Sequence, residues 1–137
     1  MVSRLEEVKN AKIEKYNELK KEKYDPYAIE KFDKQIDLEE IRKKHDSVKT
    51  GETSKDNVKT AGRIMIIRGH GKLFFMDLQD GSGKMQIVIR QDATKNFEDI
   101  KYLGTGDFVG VEGKITRTNS GELSIVVANF QILSKNI

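Results

Sequence analysis

The chain contains no cysteine, which excludes disulfides and thiolate metal centres and leaves the redox compartment open. Histidine occurs only twice, as His45 and His70, so a zinc site would have to be completed by carboxylates, against that metal's preference for nitrogen and sulfur. No long hydrophobic run is present. Stretches such as 64–67 are the longest and charge enters within the first turn, so neither a membrane span nor a secretory signal is expected, and a soluble cytoplasmic protein is. Neither sign of charge dominates: 15 basic residues face 14 acidic ones in residues 1–60, and 10 face 8 in residues 61–137. So small an excess cannot drive binding to nucleic acid through phosphate neutralisation alone, and any such function must rest on individually placed residues.

What is present suits one packed core with an appendage, in 137 residues of which 36% are hydrophobic and 34% charged. Leu5, Val8, Ile13, Tyr16 and Leu19 fall in one sector of a helical wheel, which predicts a helix over 3–23 with Ser3 and Glu6 as a capping box. Its lysines and glutamates read as solvated faces, with Lys9, Lys12, Lys20 and Lys23 as optional contacts to a nucleic-acid backbone. Asp25-Pro26-Tyr27 ends it, because the single proline brings no amide donor and pushes Asp25 out of the helical region. A shorter helix is expected after Asp37, with Asp37 and Glu40 as a cap pair and Leu38 and Ile41 on one face. Residues 46–57 are polar and aperiodic, which marks a linker. The expected division is a helical N-terminal arm and linker over 1–57 and a β domain over 58–137.

From Val58 onward, runs rich in Ile, Val, Phe and Met alternate with polar residues. They predict strands at 58–68, 72–79, 84–90, 107–117 and 122–133, with a short helix near 96–103. Asp80-Gly81-Ser82-Gly83 and Asn119-Ser120-Gly121 supply two hairpin turns. A mainly β chain with five strands and a helix between the third and fourth has the plan of an OB-fold barrel, whose second and third strands present an oligonucleotide-binding face.

Strand alternation assigns the faces. Phe74, Met76 and Leu78 form an inward row in the second strand, which leaves Phe75, Asp77 and Gln79 outward; Met85, Ile87 and Ile89 point inward in the third, and Gln86, Val88 and Arg90 outward. Glu122 and Ser124 face outward in the fifth strand, and Arg68 ends the first. Arg68, Phe75, Gln86 and Glu122 together offer a guanidinium, a ring, an amide and a carboxylate, the groups that one unstacked base requires. Each also has a plainer reading: Phe75 suits ordinary core at a barrel end, and Arg68 with Glu122 suits an exposed ion pair worth about 0–1 kcal/mol. His70, between the first two strands, is either solvated or a peripheral nucleotide contact.

Several strings extend this reading. Ala61-Gly62-Arg63-Ile64, Arg68, Gly71-Lys72 with Phe75, Asp77-Leu78-Gln79-Asp80, Met85-Gln86-Ile87, residues 106–113 and Gly121-Glu122-Leu123-Ser124-Ile125 resemble the anticodon-binding domain of class II aminoacyl-tRNA synthetases. Within that group the last string, and the charged helix leading to Asp25-Pro26-Tyr27 and Lys31-Phe32, look like the lysyl type, with the aspartyl and asparaginyl types as neighbours. The resemblance implies an anticodon-binding OB-fold that takes the lysine tRNA anticodon stem-loop, with a central uridine stacked on Phe75 and read by Arg68, Gln86 and Glu122. It implies a parent lysine–tRNA ligase, homodimeric, whose ATP and Mg sit in a catalytic domain; the ATP-binding motifs of that domain do not occur in these 137 residues, and no cofactor is expected here. Ala28 departs from the family, which usually has a second proline at that place. The rival is a stand-alone OB protein that binds single strands without regard to sequence. Gly81-Ser82-Gly83-Lys84 imitates a phosphate-binding loop, but no Ser or Thr follows the lysine and a strand comes next.

Overall fold

The computed structural model describes residues 28–136, so the helix expected over 3–23 and the turn at Asp25-Pro26-Tyr27 lie outside the described residues. Strands β1 (Thr53–His70), β2 (Leu73–Gln79), β3 (Lys84–Arg90), β4 (Phe108–Arg117) and β5 (Leu123–Ser134) close a barrel in the order β1-β2-β3-β5-β4. Four of the five junctions are antiparallel; β3 meets β5 in parallel, with Gln86, Ile87 and Val88 opposite Ser124, Ile125 and Val126. This is the five-stranded OB-fold expected from the alternation. Met76, Leu78, Met85, Ile87, Ile89 and Ile125 fill the interior, as the inward rows require.

The helix expected near 96–103 is a single 3-10 segment, Phe97–Tyr102, between β3 and β4. Its Phe97 ring meets Phe74 with 6.2 Å between centroids, which places Phe74 on the face opposite Phe75. Among the described residues no helix is long and apolar enough to cross a membrane.

Strand β1 begins at Thr53, so the boundary expected at residue 57 falls inside it. Its polar start pairs with β4 through Thr53–Thr116 and Asn57–Lys114, with an irregularity between them. Ladder hydrogen bonds are made by the backbone, so a polar stretch beside an open strand edge joins the sheet without hydrophobic alternation.

Among the described residues two helical pieces precede β1: α1 (Ala28–Lys31) and α2 (Leu38–Lys44). Ala28 is fully buried, and the Phe32 ring beyond it lies so close over Gly110 that a Cβ there would overlap the ring. Helix α2 starts where the sequence predicts, yet Asp37 makes no side-chain cap; its carboxylate pairs with Lys34 at 2.9 Å. The cap comes from the β2–β3 turn instead. Asp80 Oδ2 accepts the Leu38 amide at 3.0 Å, and Ser82 Oγ accepts the Glu39 amide at 3.1 Å. Leu38 and Ile41, both fully buried, join the barrel's own core, so α2 closes one end of the barrel.

Asp80 accepts five hydrogen bonds: Oδ1 from the Ser82 amide, the Ser82 hydroxyl and the Gly83 amide, Oδ2 from Lys34 Nζ and the Leu38 amide. Burial alone would push its carboxyl up, but the bonds from Lys34, Ser82 and the two backbone amides outweigh burial and hold it well below the usual carboxylate range. Burial likewise opposes the charge on Lys34, and its bonds to Asp80 and Asp37 more than compensate and raise it.

A depressed folded value stabilises the fold fully above the unfolded carboxylate's titration and is withdrawn as pH falls toward the folded value. Thermal melting should therefore fall from about pH 5 downward. Asp80→Asn should cost about 2–3 kcal/mol at neutral pH, from lost bonds to charge and a lost cap, and its deficit should shrink steadily with acid. The raised Lys34 has the opposite sign: its contribution is complete below the unfolded lysine value and is lost as pH rises through the folded one. Melting curves of the two proteins across the pH range check this, and parallel acid limbs would contradict it.

Candidate nucleic-acid interface

Cross-strand register places the candidate residues in rows on the outer face of the barrel. Arg68 on β1 stands opposite Phe75 on β2, which stands opposite Val88 on β3, and Val88 is level with Val126 on β5. The next row is polar: Asp77, Gln86 and Ser124 face one another across β2, β3 and β5. Arg68, Phe75, Val88 and Val126 of the first row and Gln86 of the second line an open cleft of about 650 Å³. Phe75 is half-buried there, opposite Val88 in the ladder and lining the cleft with it, so the plain core reading does not describe it.

The polar row is internally bonded. Arg68 Nη2 donates to Asp77 Oδ1 at 3.2 Å and to Gln86 Oε1 at 3.1 Å; Gln86 Nε2 donates to Ser124 Oγ at 2.9 Å, and Ser124 Oγ donates to the Glu122 carbonyl at 3.2 Å. Gln86 and Ser124 point outward as alternation predicts but are covered by their neighbours, at 8% and 0% exposure, and Val88 is buried with them. Both polar side chains spend their hydrogen bonds on residues of neighbouring strands or on nearby backbone, which a pattern of period two does not record.

Of the predicted residues, Arg68, Phe75 and Gln86 come together in the cleft. Glu122 does not line it. Preceding Ser124 by two positions, Glu122 lies two rows, about 13 Å at strand rise, from the Phe75 level. Its carboxylate pairs with Arg42 of α2 at 3.3 Å, so the exposed ion pair considered between Arg68 and Glu122 is not formed; Arg68 takes Asp77 and Glu122 takes Arg42. His70 is exposed at the end of β1, level with Leu73, and is not among the cleft residues.

A wall of the cleft escaped the sequence reading. Thr118, Asn119 and Ser120 of the β4–β5 hairpin line it, with Gly51 beside them. Arg117 holds this wall: Nε donates to the Val48 carbonyl at 2.7 Å, Nη1 to Gly121 at 3.0 Å and Nη2 to Asp46 at 3.1 Å. With its donors engaged by backbone, that guanidinium is a brace. Arg90 also lines the cleft, and among the described residues it pairs with the exposed Asp92 at 3.4 Å. The hairpin residues were legible as a turn; the OB-fold plan, which places the β4–β5 loop beside the β2–β3 face, was the signal that would have assigned them to the site.

A model of the OB-fold nucleic acid binding domain of the tRNA anticodon type matches residues 58–133. The chain is 45% identical over 98 residues to a lysine–tRNA ligase of Fervidobacterium nodosum, covering 71% of this chain and 19% of that protein. It is 48% identical over 85 residues to one from Dehalococcoides mccartyi, covering 61% and 17%, and 35% identical over 108 residues to one from Methanoculleus marisnigri, covering 77% and 21%. The chain thus spans about a fifth of the length of these curated relatives.

Proposed function

Because this chain belongs to the tRNA anticodon-type family of OB-fold nucleic acid binding domains, we propose that it recognises the anticodon of lysine tRNA as part of a lysine–tRNA ligase. The observation that carries this reading is the half-buried Phe75 ring, open to a cleft and flanked by the Arg68 guanidinium and the Gln86 amide. A splayed base stacks on the ring, and the polar groups meet its edge; stacking of this kind is worth about 1–3 kcal/mol per base. The lysine anticodon has uridine at its centre, and that base is assigned to Phe75, Arg68 and Gln86. Glu122 would join the reader by leaving Arg42, and an exposed pair of this kind, worth about 0–1 kcal/mol, is cheaply exchanged. His70, at the β1–β2 turn, is assigned to the periphery of the bound loop.

The relatives named as lysine–tRNA ligases favour the lysyl over the aspartyl and asparaginyl types. ATP and Mg, the formation of lysyl-tRNA, a homodimeric state and a cytoplasmic site of action belong to the whole ligase under this proposal. The near balance of charge argues against a binder of any single strand, which relies on phosphate neutralisation and has a steep salt dependence.

Titration with anticodon stem-loops that differ only at the central base tests the proposal. Uridine should bind roughly 5- to 150-fold tighter than cytidine, since one well-made edge contact is worth about 1–3 kcal/mol of discrimination. Equal affinity for both loops and for mixed single strands would transfer the chain to the sequence-indifferent class.

A further inference from the structure

We propose that Asp77 and Ser124 are positioning residues that hold the Arg68 guanidinium and the Gln86 amide in one orientation and thereby set which base edge the cleft accepts. The ligand in this statement rests on the anticodon reading above; the positioning does not.

Asp77, Gln86 and Ser124 are directly opposed across three adjacent strands, and Arg68 reaches their row from the level of Phe75. The polarity of the whole chain of bonds follows from its charged end. A carboxylate only accepts and a guanidinium only donates, so Asp77 orients Arg68, and Arg68 must meet the oxygen of the Gln86 amide. The amide nitrogen is then turned toward Ser124, whose hydroxyl accepts it and passes its own hydrogen to the Glu122 carbonyl. Reversing the amide would set its NH2 against the guanidinium, donor against donor. Ser124 is fully buried and Gln86 nearly so, so water does not readily replace either bond.

The consequence lies in what remains for a ligand. With the Gln86 oxygen facing Arg68 and one amide hydrogen on Ser124, the second amide hydrogen and the unused Arg68 hydrogens are left, and these donors outnumber the one lone pair remaining on the Gln86 oxygen. A floor of donors beside a stacking ring suits a pyrimidine edge rich in carbonyl acceptors. It disfavours cytosine, which presents an amino donor where uracil presents an oxygen. Without Ser124 the amide nitrogen loses its partner and the Arg68 contact alone opposes a turn, so the amide adapts more readily to both bases.

The experiment uses the whole chain with Ser124→Ala and, because a change at a buried serine can disturb folding, also Asp77→Asn at a partly exposed position. Side-chain amide exchange is followed by NMR, and the two stem-loops are titrated. In the wild type the Gln86 amide hydrogens should exchange more slowly than those of exposed glutamines, and in Ser124→Ala they should approach the exposed rate. Preference for central uridine over cytidine should fall about tenfold in both variants, the value of one edge contact. Equal weakening toward both loops with the preference intact is what a merely structural role would give, and it overturns the proposal. So does a Gln86 amide that exchanges freely in the wild type. A protected amide in a wild-type chain that treats both bases alike would support the positioning and overturn the anticodon reading.

Discussion

Phe75→Ala should weaken binding of a lysine tRNA anticodon stem-loop by about 1–3 kcal/mol, roughly 5- to 150-fold, while the melting temperature changes little. The ring sits in the cleft floor with Arg68 opposite on one strand and Val88 on the other, so truncation removes a platform without opening the interior. Met76 and Leu78, on the inward row, remain fully buried. Phe75→Tyr keeps a π surface at the same register and should retain most of the affinity, whereas Phe75→Leu keeps bulk without the ring and should behave nearly as Ala does. Fluorescence anisotropy with labelled stem-loops resolves the three. Full affinity in Phe75→Ala would remove the ring from the binding account and leave the cleft without its main energetic contributor.

Asp107→Ala should destabilise the fold by about 3–5 kcal/mol, the loss that follows when one member of a buried ion pair is removed. The Asp107 and Lys135 side chains are 1% and 4% exposed, and they pair just past the end of β5, where Lys135 also donates to the Tyr102 carbonyl. Asp107 further accepts the Gly104 and Asn136 amides at 2.8 Å each, so it ties the segment before β4 to the segment after β5. Its removal strands an ammonium and two amides. Replacing both charged partners, as in Asp107→Ala with Lys135→Met, should recover much of the loss, because an apolar pair has no charge to leave unpaired. Urea denaturation of the single and double variants measures the difference. A double variant no more stable than the single would indicate that the orphaned amides, and not the ammonium, account for the cost.

Different physical information made different parts of this molecule legible. Phe74 and Phe75 are adjacent and both aromatic, yet alternation alone sends one to Phe97 and the other to the cleft, because parity along a strand is a local property. Arg68 and Gln86 were likewise placed beside Phe75 by parity. The cap of α2 was assigned to Asp37 by proximity in sequence, but it belongs to Asp80 and Ser82, more than forty residues away. Glu122 was grouped with the readers through its outward face, and only the docking of α2 brings Arg42 to it. The start of β1 was read as linker because its residues are polar, while its place in the sheet depends on an edge that β4 offers.

Composition, periodicity and turn residues by themselves determined a five-stranded OB-fold and which side chains look outward, and they raised the expectation that binding rests on placed groups more than on net charge. Tertiary structure alone decided the partners: Arg68 to Asp77 and Gln86, Gln86 to Ser124, Asp80 to the helix at the barrel's end, and the β4–β5 hairpin as a wall of the cleft. The reason is that periodicity encodes the direction of a side chain relative to its own backbone. Hydrogen-bond and ion-pair partners are instead chosen by which distant strands become neighbours when the barrel closes.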